Sequence, residues 1–338
     1  MMWVLSAFRT SAGGGEHIRW KTLNDLVRRT RELVANLARL PPPPGAAQPA
    51  GEAATSPPQY KRLARVVLTD DASRTLFEEY AAHRQSERGA EETGWVLLGT
   101  RDETEAVVLA TLPAGAERDA GREHVRFNSA AQALASRIVR QADRRLTLLG
   151  VVHTHPGSLR HPSRGDLEGD REWVPQLRGG EGVFGIGTAD AEQGTEPELV
   201  GIRPKPNTHC LGPLRFSWYT LAAGEKRYHR VPVELTIGPD LAKPLRPVWG
   251  EIEQHADRLD RLARQQTKVR FDVTAGRIKE ALAVAVGLAD GGTIRVLLEG
   301  KEVRYFHEAA GGVSRVELPD TPPDQGIYLL LAELARKG

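Results

Sequence analysis

The ten residues from Leu146 to His155, LTLLGVVHTH, constrain this chain more than any other stretch. The run is almost wholly apolar as far as Val152. A run of that length and composition reads as a strand buried on both faces, at the centre of a sheet. It then changes character. His153 and His155 stand two apart, so on a strand they share one side, and Pro156 stops the strand behind them.

The surrounding pattern supplies the rest of a layered domain. RVVLT (65–69) reads as a strand, and DDASRTLFEEYAAHRQ (70–85) as a helix with Asp70 or Asp71 as its cap. GWVLLGT (94–100) and AVVLATLP (106–113), parted by the polar RDETE, read as an antiparallel hairpin. Residues 128–145 read as a second helix. GVFGIGTA (182–189), ELVGIRP (198–204) and LRFSWYTL (214–221) read as further strands. GVFGIG lacks the Lys-Ser/Thr of a phosphate-binding loop, so its glycines are read as a sign of close packing. Strands and helices in this order predict an α/β domain over 62–222, with a central mixed sheet flanked by helices.

Segments of other kinds lie on either side. Residues 1–40 carry one helix (16–40), with Ile18, Leu23, Leu26, Val27, Leu33, Val34, Leu37 and Leu40 at three- and four-residue steps. It suits equally an arm docked on its own protein and an arm for a partner. Residues 41–61 form a Pro/Ala-rich linker that opens with PPPPG, which no helix continues through. Residues 223–338 are expected to be a separate α+β accessory region. Helices are predicted over 250–266 and 275–289, a hairpin over 293–309 turning at Gly300, and a helix or strand over 326–338. This region has no motif tied to chemistry, and protein binding or dimerisation is its expected use.

Length and composition set the outer bounds. The 338 residues allow two or three domains. A net charge of +2 argues against a nucleic-acid partner. Met1–Phe8 is apolar but short, lacks a basic region before it and is broken at Arg9, so no secretory signal is expected. No apolar run is long enough for a membrane span. The single cysteine, Cys210, leaves no internal disulfide, and with these features predicts a cytoplasmic protein. It also rules out a cysteine cage for a metal, which would have to use His and carboxylate ligands.

The segment after the central strand offers such ligands. If Ser163 begins a helix, RGDLEGDREWV, then Asp166 lies in its first turn. Two imidazoles and a carboxylate then come within reach of one ion. Two His and one carboxylate, with the fourth position left to water, is the ligand set of a catalytic zinc site. Such chemistry also needs a carboxylate that is not a ligand, to accept and return a proton.

His153-x-His155-Pro156, with seven residues (156–162) between His155 and Ser163 and Asp166 three positions further on, resembles the JAMM signature of the JAB/MPN metallopeptidases. The upstream segment ETGWVLLG (92–99) resembles the stretch that carries the family's glutamate. Its spacing to Gly99 points to Glu92 rather than Glu91. The likeness covers about 160 residues. One departure is Trp95, where many relatives carry glycine; placed beside the site, it is expected to narrow the entrance.

The resemblance implies a cytidine-deaminase-like layered fold and one Zn2+ per chain, held by His153, His155 and Asp166. It implies Glu92 as general base and then acid, and Ser163 as a donor to the developing oxyanion. It implies hydrolysis of the peptide or isopeptide bond after the C terminus of a ubiquitin-like protein, in a bacterial deubiquitinase-like branch. Conjugates and conjugating enzymes are the expected partners, recruited through the N-terminal helix or the C-terminal region. Two alternatives stay open: a non-catalytic scaffold, and a zinc peptidase acting on sulfur-carrier proteins or their adducts.

Other candidates read as structural. His161 is expected to be an exposed loop residue, and Glu168 and Asp170 to be solvated on the helix. A second role for Asp170, supporting a ligand histidine, is a minor alternative. His209 and Cys210 are placed in a Pro-rich loop with no function. His124, His229, His255 and His307 have no partner at a recognisable spacing. The segments 114–127, 156–163 and 204–213 are expected to flank the site and set specificity.

Overall fold

The computed structural model describes residues 60–157, 159–189 and 202–337. The helix expected over 16–40 and the PPPPGAAQPAGEAATSPP stretch lie outside the described residues. The chain divides into two units. The first holds residues 60–129 and Arg145–Lys243; the second holds Ala130–Arg144 and the chain from Pro244 onward.

In the first unit, β1 (Arg65–Thr69) runs straight into α1 (Asp70–Gln85). The cap is Thr69, not Asp70 or Asp71: its hydroxyl accepts from the Ala72 amide at 3.3 Å. The two aspartates are used elsewhere, Asp70 accepting from the Gly238 amide and Asp71 from Asp240 and Lys243. One face of α1, with Leu76, Phe77 and Tyr80, enters a core shared with Val66, Trp95, Leu97 and Phe216. The expected hairpin forms from β2 (Gly94–Arg101) and β3 (Glu105–Pro113).

Two very short strands, β4 (Asp119–Ala120) and β5 (Val125–Arg126), follow, and then α2 (Ser129–Ala142). The central strand is β6 (Thr147–Thr154). α3 (Arg164–Trp173) and β7 (Glu181–Thr188) come next, then β8 (Ile202–Lys205), β9 (Thr208–Leu211), β10 (Leu214–Ala222), β11 (His229–Arg230) and β12 (Val233–Thr236). The sheet runs β12-β1-β3-β2-β6-β7-β10-β9-β8, with β11 pairing β10. It is mixed: β6 is antiparallel to β2 and parallel to β7. Every residue of β6 after Thr147 is buried, as its apolar run requires.

Close packing explains the glycines of these two strands. A Cβ on Gly150 would lie 1.8 Å from the Val183 carbonyl oxygen. On β7, Gly185 lies against Val152 and Gly187 against Phe216 and Thr154. GVFGIG is therefore a buried strand, as its pattern predicts.

The first sheet extends past residue 222, because β12 pairs in parallel with β1, Val66 opposite Val233. Conversely, α2 groups with the second unit. There the Gln141 amide bonds both backbone groups of Phe271 at 3.0 Å, and Arg137 pairs with Asp260. Neither contact leaves a mark in the linear sequence.

The second unit joins α4 (Trp249–Gln265), an antiparallel meander of β13 (Val269–Ala275), β14 (Glu280–Gly287), β15 (Thr293–Glu299), β16 (Glu302–Ala309) and β17 (Gly312–Val316), and α5 (Pro323–Lys337). The helix expected over 275–289 is strand β14. Leu282, Val284 and Val286 alternate on one face and meet Leu298, Val296 and Ile294 of β15. Alanines fill the other face, so both faces are apolar and the period of two is hidden in the sequence. Alanine's helix propensity then misleads. Tertiary pairing decides between the two states. The 293–309 hairpin turns at Gly300, at φ +60, and the C-terminal segment is a helix.

Candidate metal centre

The site is built where β6 ends. His153 and His155 project from the same side of the strand, and their Nε2 atoms lie 3.0 Å apart. After the loop that follows Pro156, Ser163 caps α3 in a reciprocal capping box with Asp166. The box puts Asp166 in the first turn, facing the histidines. Its Oδ2 is 3.6 Å from His153 Nε2 and 3.7 Å from His155 Nε2. One point then lies about 2 Å from all three atoms, the length of a zinc–imidazole or zinc–carboxylate bond. All three side chains are buried, and among the described residues they are the group that could hold a metal ion.

Protonation suits a cation. Burial pushes the His153 imidazole down to about 4, against the opposing pull of Asp166. Burial alone would raise the Asp166 carboxyl, but the facing imidazoles of His153 and His155 outweigh it and hold the group at about 2. At neutral pH the site therefore offers a neutral imidazole and an ionised carboxylate, the forms that bind metal. The tautomer of His155 follows from its neighbour. Its Nδ1 lies 2.7 Å from the Leu159 carbonyl oxygen, which can only accept, so Nδ1 carries a proton and Nε2 is the atom that faces His153 and Asp166.

Glu92 precedes β2, the antiparallel neighbour of β6. Gly94 lies opposite His153. Glu92 is 3% exposed, and its Oε2 has no hydrogen-bond partner among the described residues. Burial and then the negative charge of Asp166 push it up to about 9. Glu91 is different: it is half-buried and engaged with Arg88 at 2.6 Å. The Thr93 amide donates to Thr154 Oγ1 at 3.0 Å, and the Thr154 amide to the Thr93 carbonyl at 2.9 Å. These bonds tie the Glu92 segment to the strand that carries both histidines.

The structure brings together His153, His155, Asp166 and Ser163, and the Glu92 carboxyl lies within electrostatic reach of Asp166. Ser163 has a definite occupation: its hydroxyl donates to Asp166 Oδ1 at 2.8 Å. Some expectations are corrected. Asp170 is not solvated. It is 4% exposed and accepts from Tyr228 Oη at 2.6 Å and Trp173 Nε1 at 3.0 Å. Burial pushes its carboxyl up to about 7. Trp95 does not narrow an entrance. It lies in the core against Phe216, and its indole N–H donates to Glu79. His209 and Cys210 sit buried in strand β9 rather than in a loop, and His209 meets Ser73 Oγ at 3.1 Å. His161 is exposed, as expected, and Glu168 pairs with Arg164 on the surface. Sequence reasoning missed Thr154, Tyr219 and Tyr228, because their partners lie dozens of residues away.

An α/β domain with a mixed sheet and a buried His–His–carboxylate group at the end of its central strand defines a narrow class. Residues 73–199 match the family described as prokaryotic homologs of the JAB domain. The match supports a domain of the JAB/MPN family over that stretch. No curated protein matches. Among solved structures, the chain is similar to the solution structure of protein DSY2949 from Desulfitobacterium hafniense. The identity is 18%, over 52% of this chain and 95% of that one, with a TM-score of 0.33. Among the described residues, no helix is long and apolar enough to cross a membrane.

Proposed function

We propose that this chain is a JAMM-type zinc metallopeptidase. Its proposed reaction is hydrolysis of the peptide or isopeptide bond after the C terminus of a ubiquitin-like modifier, for precursor processing or deconjugation. The observation that carries the reading is the buried triangle of His153, His155 and Asp166 beside a buried carboxyl, Glu92, whose Oε2 has no hydrogen-bond partner among the described residues.

His153, His155 and Asp166 would hold the metal. When bound, zinc supplies Lewis acidity and brings water's pKa to about 7, and its charge draws a nearby carboxyl back toward ionisation. Glu92 takes a proton from the attacking water and returns it to the leaving amine. A carboxyl held between those two states by burial and charge suits both transfers. Ser163 has one hydroxyl proton. To serve as oxyanion donor it turns that proton from Asp166 Oδ1 to the substrate carbonyl oxygen. We place the enzyme in a reducing cytoplasm, consistent with its one buried free cysteine. The C-terminal unit is the proposed recruiter of conjugates or conjugating enzymes.

The test is metal content after zinc loading and desalting, for the wild-type chain beside His153→Ala. Cleavage of ubiquitin-like fusions ending in Gly-Gly follows. One zinc per wild-type chain, none in the variant, and cleavage by the wild type alone are expected. A wild-type chain that retains no zinc would make the scaffold reading the better one. Zinc without cleavage of such fusions would turn the search to sulfur-carrier substrates.

A further inference from the structure

The histidines are set by strand pairing, but Leu159, Arg160 and Asp166 lie on a loop and a ten-residue helix. A metal site needs its ligands held within fractions of an ångström. Something must fix that segment beyond its own cap. Two tyrosines from later in the chain reach it. Tyr219, on β10, donates through Oη to the Arg160 carbonyl at 2.9 Å. Tyr228, in the turn before β11, donates to Asp170 Oδ2 at 2.6 Å.

Each bond lies one step from a ligand. Arg160 follows Leu159, whose carbonyl orients the His155 ring. Asp170 is one helical turn beyond Asp166 on the same face, so anchoring it fixes the rotation of α3 about its axis. The rings around these bonds pack on one another, with Phe184–Tyr228 at 5.3 Å and Tyr219–Tyr228 at 6.4 Å between centroids. Trp173 Nε1 gives Asp170 its second donor. A carboxylate buried this deeply costs free energy unless it is fully bonded, so the bond from Tyr228 strongly favours one pose of the helix.

We propose that Tyr219 and Tyr228 are positioning residues that brace the ligand-bearing loop and helix, and so set the affinity and geometry of the metal centre. Both tyrosines lie beyond residue 199, where the family match ends. The inference rests on the reading of His153, His155 and Asp166 as metal ligands.

The test measures Zn2+ affinity by competition with a chromogenic chelator, and the visible spectrum of the Co2+-loaded full chain. It compares the wild type with His153→Ala, Tyr219→Phe and Tyr228→Phe. Each Tyr→Phe variant keeps its ring and loses one hydroxyl. Expected is Zn2+ binding weakened roughly 10- to 100-fold, the effect known for groups that orient ligands, with a changed Co2+ band and an unchanged metal-free circular dichroism spectrum. If Tyr228→Phe gives too little folded protein, Asp170→Asn weakens the same bond at the same volume and reads the same quantity. The double variant Tyr228→Phe/Asp170→Asn should bind little worse than the weaker single one, because both remove one interaction. Wild-type affinity and spectrum in the tyrosine variants would overturn the brace and leave the metal centre standing, even if their melting temperatures fell. No difference between wild type and His153→Ala would overturn the metal reading, and the brace with it.

Discussion

Ser163 and Asp166 hold each other at several points. The Ser163 amide donates to Asp166 Oδ2 at 2.6 Å, its hydroxyl donates to Oδ1 at 2.8 Å, and the Asp166 amide returns a bond to Ser163 Oγ at 3.3 Å. One side chain thus starts the helix and aims the carboxylate. Ser163→Ala should lower stability by about 1 kcal/mol, the usual cost of losing such a cap, measured by urea unfolding. Turnover should fall roughly a hundredfold through loss of the oxyanion donor. A near-normal rate together with the stability loss would leave Ser163 as a cap alone.

Glu92 should separate binding from chemistry. Glu92→Gln is expected to retain one zinc and lose hydrolysis, whereas Glu91→Ala, which removes only the surface partner of Arg88, should keep both. Full activity in Glu92→Gln would remove it from the proton-transfer role.

The same residue predicts a pH dependence of the metal-free chain. With its folded value near 9 and its ordinary value at 4.5, Glu92 keeps its proton after folding under conditions where the unfolded chain has lost it. The folded state then binds more protons, so stability falls as pH rises between those values. Asp170, pushed up to about 7, acts in the same direction below that pH. His153 acts oppositely, but only between about 4 and 6.5. From pH 7 to 9 the loss therefore belongs to Glu92. Urea unfolding of the metal-free wild type should show it, and Glu92→Gln should be flat across that interval and about 1 kcal/mol or more stabler at pH 8. Equal slopes would mean that Glu92 is ionised in the folded chain.

Zinc should stabilise the wild-type chain and leave Asp166→Ala unmoved. At a free concentration a hundredfold above Kd, the gain is about 2.7 kcal/mol. A rise in melting temperature of equal size in Asp166→Ala would place the ion elsewhere.

Gly150→Ala probes the strand that carries the site. Its new methyl would meet the Val183 backbone oxygen of the parallel neighbour. The strands must part, at a cost of about 3 kcal/mol or more, and His153 moves with them. Wild-type stability would show that β6 and β7 can separate freely at this point.

Much of this protein is legible in the linear sequence. LTLLGVVHTH was legible as a central strand, because a short, almost wholly apolar run that ends on histidines two apart and is stopped by Pro156 suits a strand buried on both faces. Ser163 and Asp166 were readable for the same reason: a cap and its third helical residue interact over three positions, within the reach of local pattern. Glu92 was readable only through the family resemblance, since its distance in sequence from His153 says nothing about strand order. Tertiary structure decided the rest. It made EALAVAVG a strand, because pairing with β13 and β15 outweighs alanine's helix preference. It took α2 into the second unit through Gln141 and Arg137, and carried the first sheet past residue 222 through β12. It buried Asp170 under Tyr228, a partner 58 residues away whose approach depends on how β10 and α3 pack. Local chemistry names the candidate ligands, but the bonds that hold them in place cross from element to element, and only the folded chain brings those partners together.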